Sequence, residues 1–246
     1  MTYSEVVDAL EQQHAELAGL LDGLTPDGWN RSTRCEGWDV SDVVLHLSQT
    51  DGFAIASIQG TLPPNSVFQG DVDEGADAMV ALDRGASGDE VRARWAANTA
   101  ELRALLRESD PHARVPWVRG MMSTYTLAST RLAECWIHTG DVGEALGVAQ
   151  LATDRLQHIA RLAWRTLPYA FARDGRELHG PVAFELGSPS GERWDFIPDA
   201  VPATVIRGDA FELCQVAARR VQPQATGLRG EGPDSDAVLQ LVRTYA

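Results

Sequence analysis

Arg131-Leu132-Ala133-Glu134-Cys135-Trp136-Ile137-His138-Thr139-Gly140-Asp141-Val142 is the stretch on which the fold turns. Leu127, Leu132, Val142 and Leu146 recur around it at helical spacing, and the pattern predicts a helix from Ser123 to about Gly147. Arg131, Glu134, His138 and Asp141 fall at intervals of three and four residues, so they share one face of that helix. Glu134 and His138 stand at i and i+4, with Cβ atoms about 5–6 Å apart, which lets a carboxylate oxygen and an imidazole nitrogen reach one metal ion. The same stripe also fits a solvent-facing, salt-bridged helix surface, and on this pattern alone the surface reading has the better claim. Asp141 can orient His138 from behind or bridge to Arg131, and the spacing does not choose between them.

Working outward, three more long helices precede this one. Val6, Leu10, Leu17, Leu21 and Leu24 mark the first, with Gly23 and Thr25-Pro26 ending it. Asp39 followed by Asp42 has capping-box spacing and opens the second, through Val43, Val44, Leu47 and Ile55. Ser87 or Gly88 starts the third, which carries Trp95, Leu102, Leu105 and Leu106. Between the second and third, Gly60 to Gly88 mixes Pro63-Pro64, glycines and an acid cluster of Asp71, Asp73, Glu74 and Asp77. It reads as a long loop, a solvated connector in preference to a lid. Four long helices joined by loops predict a four-helix bundle over 1–150.

Beyond residue 150 the pattern changes. A fifth helix is expected over about 153–167, with Pro168 near its end. Val182–Leu186 and Arg193–Ile197 read as strands flanking the hairpin connection Gly187-Ser188-Pro189-Ser190-Gly191. Ala203–Ile206 is a third strand. Asp209 with Glu212 starts a helix through Ala218, and a last helix covers about 234–245. Residues 151–246 are thus expected to form the fifth helix and a small α+β domain, so the fold class is mainly α with an α+β appendage.

The charge distribution follows this division. The chain carries a formal −14 over 246 residues. Residues 1–150 hold 23 acids and 10 arginines, whereas 151–246 hold 12 acids and 11 arginines. All 21 basic residues are arginine. The absence of lysine excludes Schiff-base and pyridoxal chemistry, which need its amine, and the lysine-based phosphate clamps of P-loop proteins and protein kinases. A pI near 4.8 argues against nucleic acid, whose phosphates would be repelled. No apolar run approaches the roughly 20 residues of a membrane span, and Met1–Leu10 lacks the basic start of a signal peptide. Cys35, Cys135 and Cys214 give no disulfide framework and fit a reducing cytoplasm. Neither a nucleophile elbow nor a dinucleotide fingerprint is present.

His46 shifts the balance toward a buried site. It lies inside Val43-Val44-Leu45-His46-Leu47 on the second helix. A lone histidine in apolar surroundings is usually a hydrogen-bonded core residue, but in a bundle it can meet Glu134 and His138 from a facing helix. Two histidines and a carboxylate form a three-ligand site with an open position, as in catalytic zinc or non-heme Fe(II) centres. His14 is better explained by packing, and His112, His158 and His179 have no partner spacing. Cys35 and Cys135 have no evident activating partner.

Gly37-Trp38-Asp39-Val40-Ser41-Asp42-Val43-Val44-Leu45-His46-Leu47 resembles the first signature of the mycothiol-dependent maleylpyruvate isomerase family, within the DinB-like metal-binding superfamily. Arg131–Val142 resembles its second signature. The order and separation of the two also fit, and the small α+β tail extends the resemblance over most of the chain. The Trp117 region, Asp141–Gly147 and Pro168-Tyr169-Ala170-Phe171 are similar to an actinobacterial metal-binding subgroup with no assigned function. The resemblance implies a DinB-like four-helix bundle with one divalent metal, usually zinc, on the positions matching His46, Glu134 and His138. Asp141 and Arg131 would stand behind those ligands.

The implied activity is a metal-dependent isomerisation of, or thiol transfer to, a small electrophilic substrate, with mycothiol as co-substrate. Two alternatives stay open: a metal-dependent hydrolase, lyase or tailoring enzyme that uses no thiol, and a non-catalytic metal- or ligand-binding protein. An anionic substrate would need cations, and arginine suits carboxylates. The family's C-terminal domain is similar to a lid that presents an arginine, which makes Arg219 and Arg220 the candidates; two solvated surface arginines are the equal alternative. Oligomeric state is left open.

Overall fold

The computed structural model describes residues 1–62, 72–118 and 120–244. They divide into two compact units, Met1–Gln150 and Leu151–Ala246.

The first unit is a four-helix bundle of α1 (Tyr3–Leu21), α3 (Val40–Gln59), α5 (Gly88–Glu108) and α6 (Thr124–Leu146). Around the bundle, α1 packs on α5 and α6, and α3 packs on the same two helices. Local chemistry sets the ends. Capping boxes pair Thr2 with Glu5, Asp39 with Asp42, and Ser87 with Glu90, while Ser123 caps α6. Each such cap contributes about 1 kcal/mol by satisfying an amide that the helix cannot. Gly60 and Gly147 close α3 and α6 in the left-handed conformation, which only glycine adopts without a Cβ penalty. The core includes Leu17, Leu21, Val43, Val44, Leu47, Trp95, Cys135 and Val142.

Four elements of this unit differ from the sequence expectation. A short helix, α2 (Pro26–Trp29), follows α1. The expected connector from Gly60 to Gly88 contains α4 (Val72–Asp83); Pro63, Pro64 and Asp71 lie outside the described residues. Gly75 and four acids weaken the helical signal of α4, and long-range tethers offset that weakness. Arg84, just past its end, donates to both Asp42 carboxylate oxygens (3.0 and 2.7 Å). Gln49 Nε2 donates to the Met79 carbonyl at 2.8 Å, and Trp38 Nε1 donates to Asp77 at 2.7 Å. Lastly, β1 (Arg114–Trp117) and β2 (Gly120–Ser123) form an antiparallel ribbon where the sequence reading assigned no element. Strands of four residues offer too little alternation to read.

The second unit is α+β. Its sheet has the order β4-β3-β5-β6, from β3 (Val182–Gly187), β4 (Arg193–Phe196), β5 (Thr204–Asp209) and β6 (Arg229–Glu231). β3 and β4 form the expected hairpin, with Phe184 opposite Phe196, and β5 runs parallel to β3. Helices α7 (Leu156–Arg165), α8 (Leu167–Arg173), α9 (Ala210–Ala217) and α10 (Ser235–Leu241) complete it. Pro168 does not end the fifth helix. It sits in the first turn of α8, where its missing N–H costs nothing and its fixed φ suits a helix start. Among the described residues no helix is long and apolar enough to cross a membrane.

His14 on α1 is buried and does not join the polar stripe of α6. Its Nδ1 accepts from Arg103 at 2.9 Å, and its ring meets Trp95 edge-on. Burial, reinforced by the charges of Arg103 and Arg131, lowers its pKa from 6.5 to about 3. The unfolded chain therefore binds the extra proton between these values, so this contribution to stability is complete above 6.5 and is lost as pH falls toward 3. Between about pH 7 and about pH 4 it amounts to on the order of 3 kcal/mol. In urea titrations, His14→Asn, which keeps an acceptor for Arg103, should lose less stability over that interval than wild type. Equal losses would refute the assignment.

Candidate metal centre

The polar stripe of α6 faces inward. Arg131 and Asp141 are 1% exposed and His138 is 7% exposed, which removes the solvent-surface reading. α3 brings His46, also buried, against it. His46 Nε2 lies 3.3 Å from Glu134 Oε1, and His138 Nε2 lies 3.5 Å from the same oxygen. The two imidazole centroids are 5.2 Å apart. One donor atom from each of the three residues falls within 4.8 Å of the others.

These separations suit a metal. Two tetrahedral bonds of roughly 2.0–2.2 Å place their donor atoms about 3.3–3.6 Å apart. His138 Nδ1 meets Asp141 Oδ2 at 2.9 Å, the carboxylate–histidine arrangement that leaves Nε2 as the lone-pair donor. Of the two roles open to Asp141, the structure has this one. Arg131 pairs instead with Asp51 of α3, its Nε donating to Oδ1 at 2.9 Å. Its Nη2 donates to Thr50 Oγ1 at 2.9 Å, and that hydroxyl donates to the His46 carbonyl at 2.9 Å. The Arg131 network thus joins the two helices that carry the cluster.

Electrostatics divide the three groups. Burial would raise the Glu134 carboxyl, but hydrogen bonds from His138 and His46 and the Arg131 charge outweigh it and hold the group well below the carboxylate range. Burial lowers His46 despite its contact with Glu134, so the neutral imidazole is favoured. Burial acts the same way on His138, but Asp141, Cys35 and Glu134 overcome it and raise the metal-free imidazole well above its ordinary value, so an ion would have to displace the Nε2 proton. His46 Nδ1 has no hydrogen-bond partner among the described residues, so His46 lacks the carboxylate anchor that fixes His138. The Trp38 ring lies 5.0 Å from the His46 ring. Cys135 is a core residue, its thiol pushed up by burial.

Two participants were missed in the sequence. Asp51 lies five residues after His46, and its acid in a helix with Ala54 and Ile55 was the available signal. Cys35 reaches Asp141 from a loop, and no spacing rule connects positions 35 and 141.

The C-terminal arginines follow α9 and do not lie on it. α9 ends at Ala217 with Ala218 as its cap. Arg219 N bonds the Val216 carbonyl at 3.0 Å and Arg220 N the Gln215 carbonyl at 2.9 Å, a Schellman closure that reverses the chain. Arg219 occupies the left-handed position, φ 61°, alone among the described non-glycine residues. Its Nη1 donates to the Gln240 carbonyl at 2.6 Å, and Arg220 Nη1 donates to the Ala218 carbonyl at 3.1 Å.

The helical bundle that carries this inward cluster is followed in the chain by the small α+β unit. The chain belongs to the mycothiol maleylpyruvate isomerase N-terminal domain family, whose model matches residues 10–143. Uncharacterized proteins from two strains of Mycobacterium tuberculosis, CDC 1551 / Oshkosh and ATCC 25618 / H37Rv, are 28% identical over 245 residues. Those alignments cover 96% of this chain and 93% of each relative. Crystal structures of the mycothiol-dependent maleylpyruvate isomerase and of a point mutant share the fold, with a TM-score of 0.64 and 20% and 19% identity. Each match covers 96% of both chains.

Proposed function

We propose that this chain is a metal-dependent enzyme that uses a low-molecular-weight thiol of the mycothiol type, to isomerise a small electrophilic substrate or to transfer the thiol to it. His46, Glu134 and His138 hold the ion, and zinc suits two imidazoles and one carboxylate. The observation that carries the reading is the convergence of these three donors with His138 Nδ1 tied to Asp141. Family membership supports the thiol. A divalent ion held by these residues would supply the Lewis acidity that favours a thiolate near neutral pH.

The chain's own groups prepare that position. Asp141 keeps the proton on His138 Nδ1 and so leaves Nε2 as the donor. Burial keeps His46 neutral, and the Arg131 charge helps to keep Glu134 ionised. Arg219 and Arg220 are the proposed cations for an anionic substrate. Arg219 holds a left-handed backbone conformation that glycine would adopt without strain, and that cost is consistent with a use for its side chain. The cytoplasm is the proposed location, where the three free cysteines stay reduced.

Elemental analysis combined with a mycothiol-dependent assay on maleylpyruvate or another electrophile tests the proposal. Bound zinc and turnover that stops when the thiol is withdrawn are expected. Metal-loaded protein that neither binds nor consumes thiol removes the thiol role. Turnover that survives its withdrawal identifies a thiol-independent hydrolase, lyase or tailoring enzyme.

A further inference from the structure

Cys35 stands outside the set of metal ligands, yet it is tied to one of them. Its Sγ donates to Asp141 Oδ2 at 3.4 Å, the same oxygen that meets His138 Nδ1 at 2.9 Å. The donor atoms of Cys35, His138 and Asp141 all lie within 4.8 Å of one another. A buried carboxylate oxygen with two lone pairs needs more than one partner to be held in a single orientation. Cys35 supplies one beside His138.

The loop that carries Cys35 is itself fixed. Cys35 N donates to Thr33 Oγ1 at 3.2 Å, and Trp38 N donates to the Cys35 carbonyl at 3.0 Å. Val40 N donates to the Arg31 carbonyl at 3.0 Å, closing the loop at the first residue of α3. Arg34 reaches Glu144 on α6 at 3.3 Å. The thiol is therefore presented to Asp141 from a segment joined directly to the helix that bears His46.

We propose that Cys35 is a positioning residue of the metal centre: its thiol holds Asp141 so that the carboxylate keeps His138 Nδ1 protonated and Nε2 turned toward Glu134 and His46. The role rests on the metal reading given above and extends it to a residue two contacts from the ion. It requires neither nucleophilic attack by the thiol nor its ionisation. Removing the thiol removes one of the contacts that orient the Asp141 carboxylate, and the imidazole it meets loses part of its fixed orientation.

The test uses the full chain loaded with Co2+, whose d–d absorption reports ligand geometry. Cys35→Ala should weaken Co2+ binding about tenfold, the low end of what loss of an outer partner costs, and should alter the visible band. Cys35→Ser restores a donor and should recover most of the affinity. Methylthiolation of Cys35 in folded wild-type protein should reproduce the alanine effect, with reversal by reductant, and serves if Cys35→Ala does not fold. Unchanged Co2+ affinity and spectrum after loss of the thiol, with only metal-free melting affected, would overturn the proposal. Wild-type protein that takes up no Co2+ overturns the metal reading and this one together, whereas wild-type uptake that Cys35→Ala matches overturns this one alone.

Discussion

His138→Ala is expected to purify without metal and to show no metal-dependent rise in melting temperature. His138 differs from His46 in having both ring nitrogens engaged, Nδ1 with Asp141 and Nε2 toward Glu134. Removing it deletes a donor and also strips the buried Asp141 of the imidazole it pairs with. Loss of an outer partner alone costs roughly 10–100-fold in metal affinity, so loss of this ligand should cost more. A metal that binds only the native state stabilises it in proportion to the logarithm of its concentration over Kd. The wild-type melting temperature should therefore climb with added zinc, and the variant's should stay flat. Equal metal content in the two proteins would remove the site.

Arg131→Met is expected to destabilise the metal-free chain by about 3–5 kcal/mol. Arg131 and Asp51 have side chains only 1% and 2% exposed. Burial raises the Asp51 carboxyl, and the Arg131 guanidinium works against that shift. Without the arginine, Asp51 either keeps an uncompensated buried charge or takes up a proton, and both are costly. Methionine fills much of the same volume, so the loss reports charge more than packing. The double variant Arg131→Met/Asp51→Leu removes both charges and should recover much of the stability, as buried pairs replaced by apolar residues often do. Urea titration of wild type, Arg131→Met, Asp51→Leu and the double variant gives the coupling. A single variant within 1 kcal/mol of wild type would show that the pair is dispensable.

The same pair separates what can be read locally from what cannot. The ends of α6 were legible because a serine cap and a left-handed glycine act within one turn of the helix they close. The Asp39–Asp42 box was legible for the same reason. α4 was not, because its own sequence is weak and its support comes from Asp42, Gln49 and Trp38, which lie 23 or more residues earlier in the chain. β6 has three residues, too few for a period to show.

For the site, Glu134 and His138 were found as a pair because a helix fixes the geometry of residues four apart. The sequence by itself determined that pair, the four long helices, the exclusion of amine chemistry and the resemblance that named His46. The inward turn of the stripe was decided by packing alone. His46, Glu134 and His138 converge because α3 packs against α6, and Arg131 chooses Asp51 over Asp141 for the same reason. Cys35 meets Asp141 across 106 positions. Such contacts depend on distances between elements, which no local period of the chain encodes.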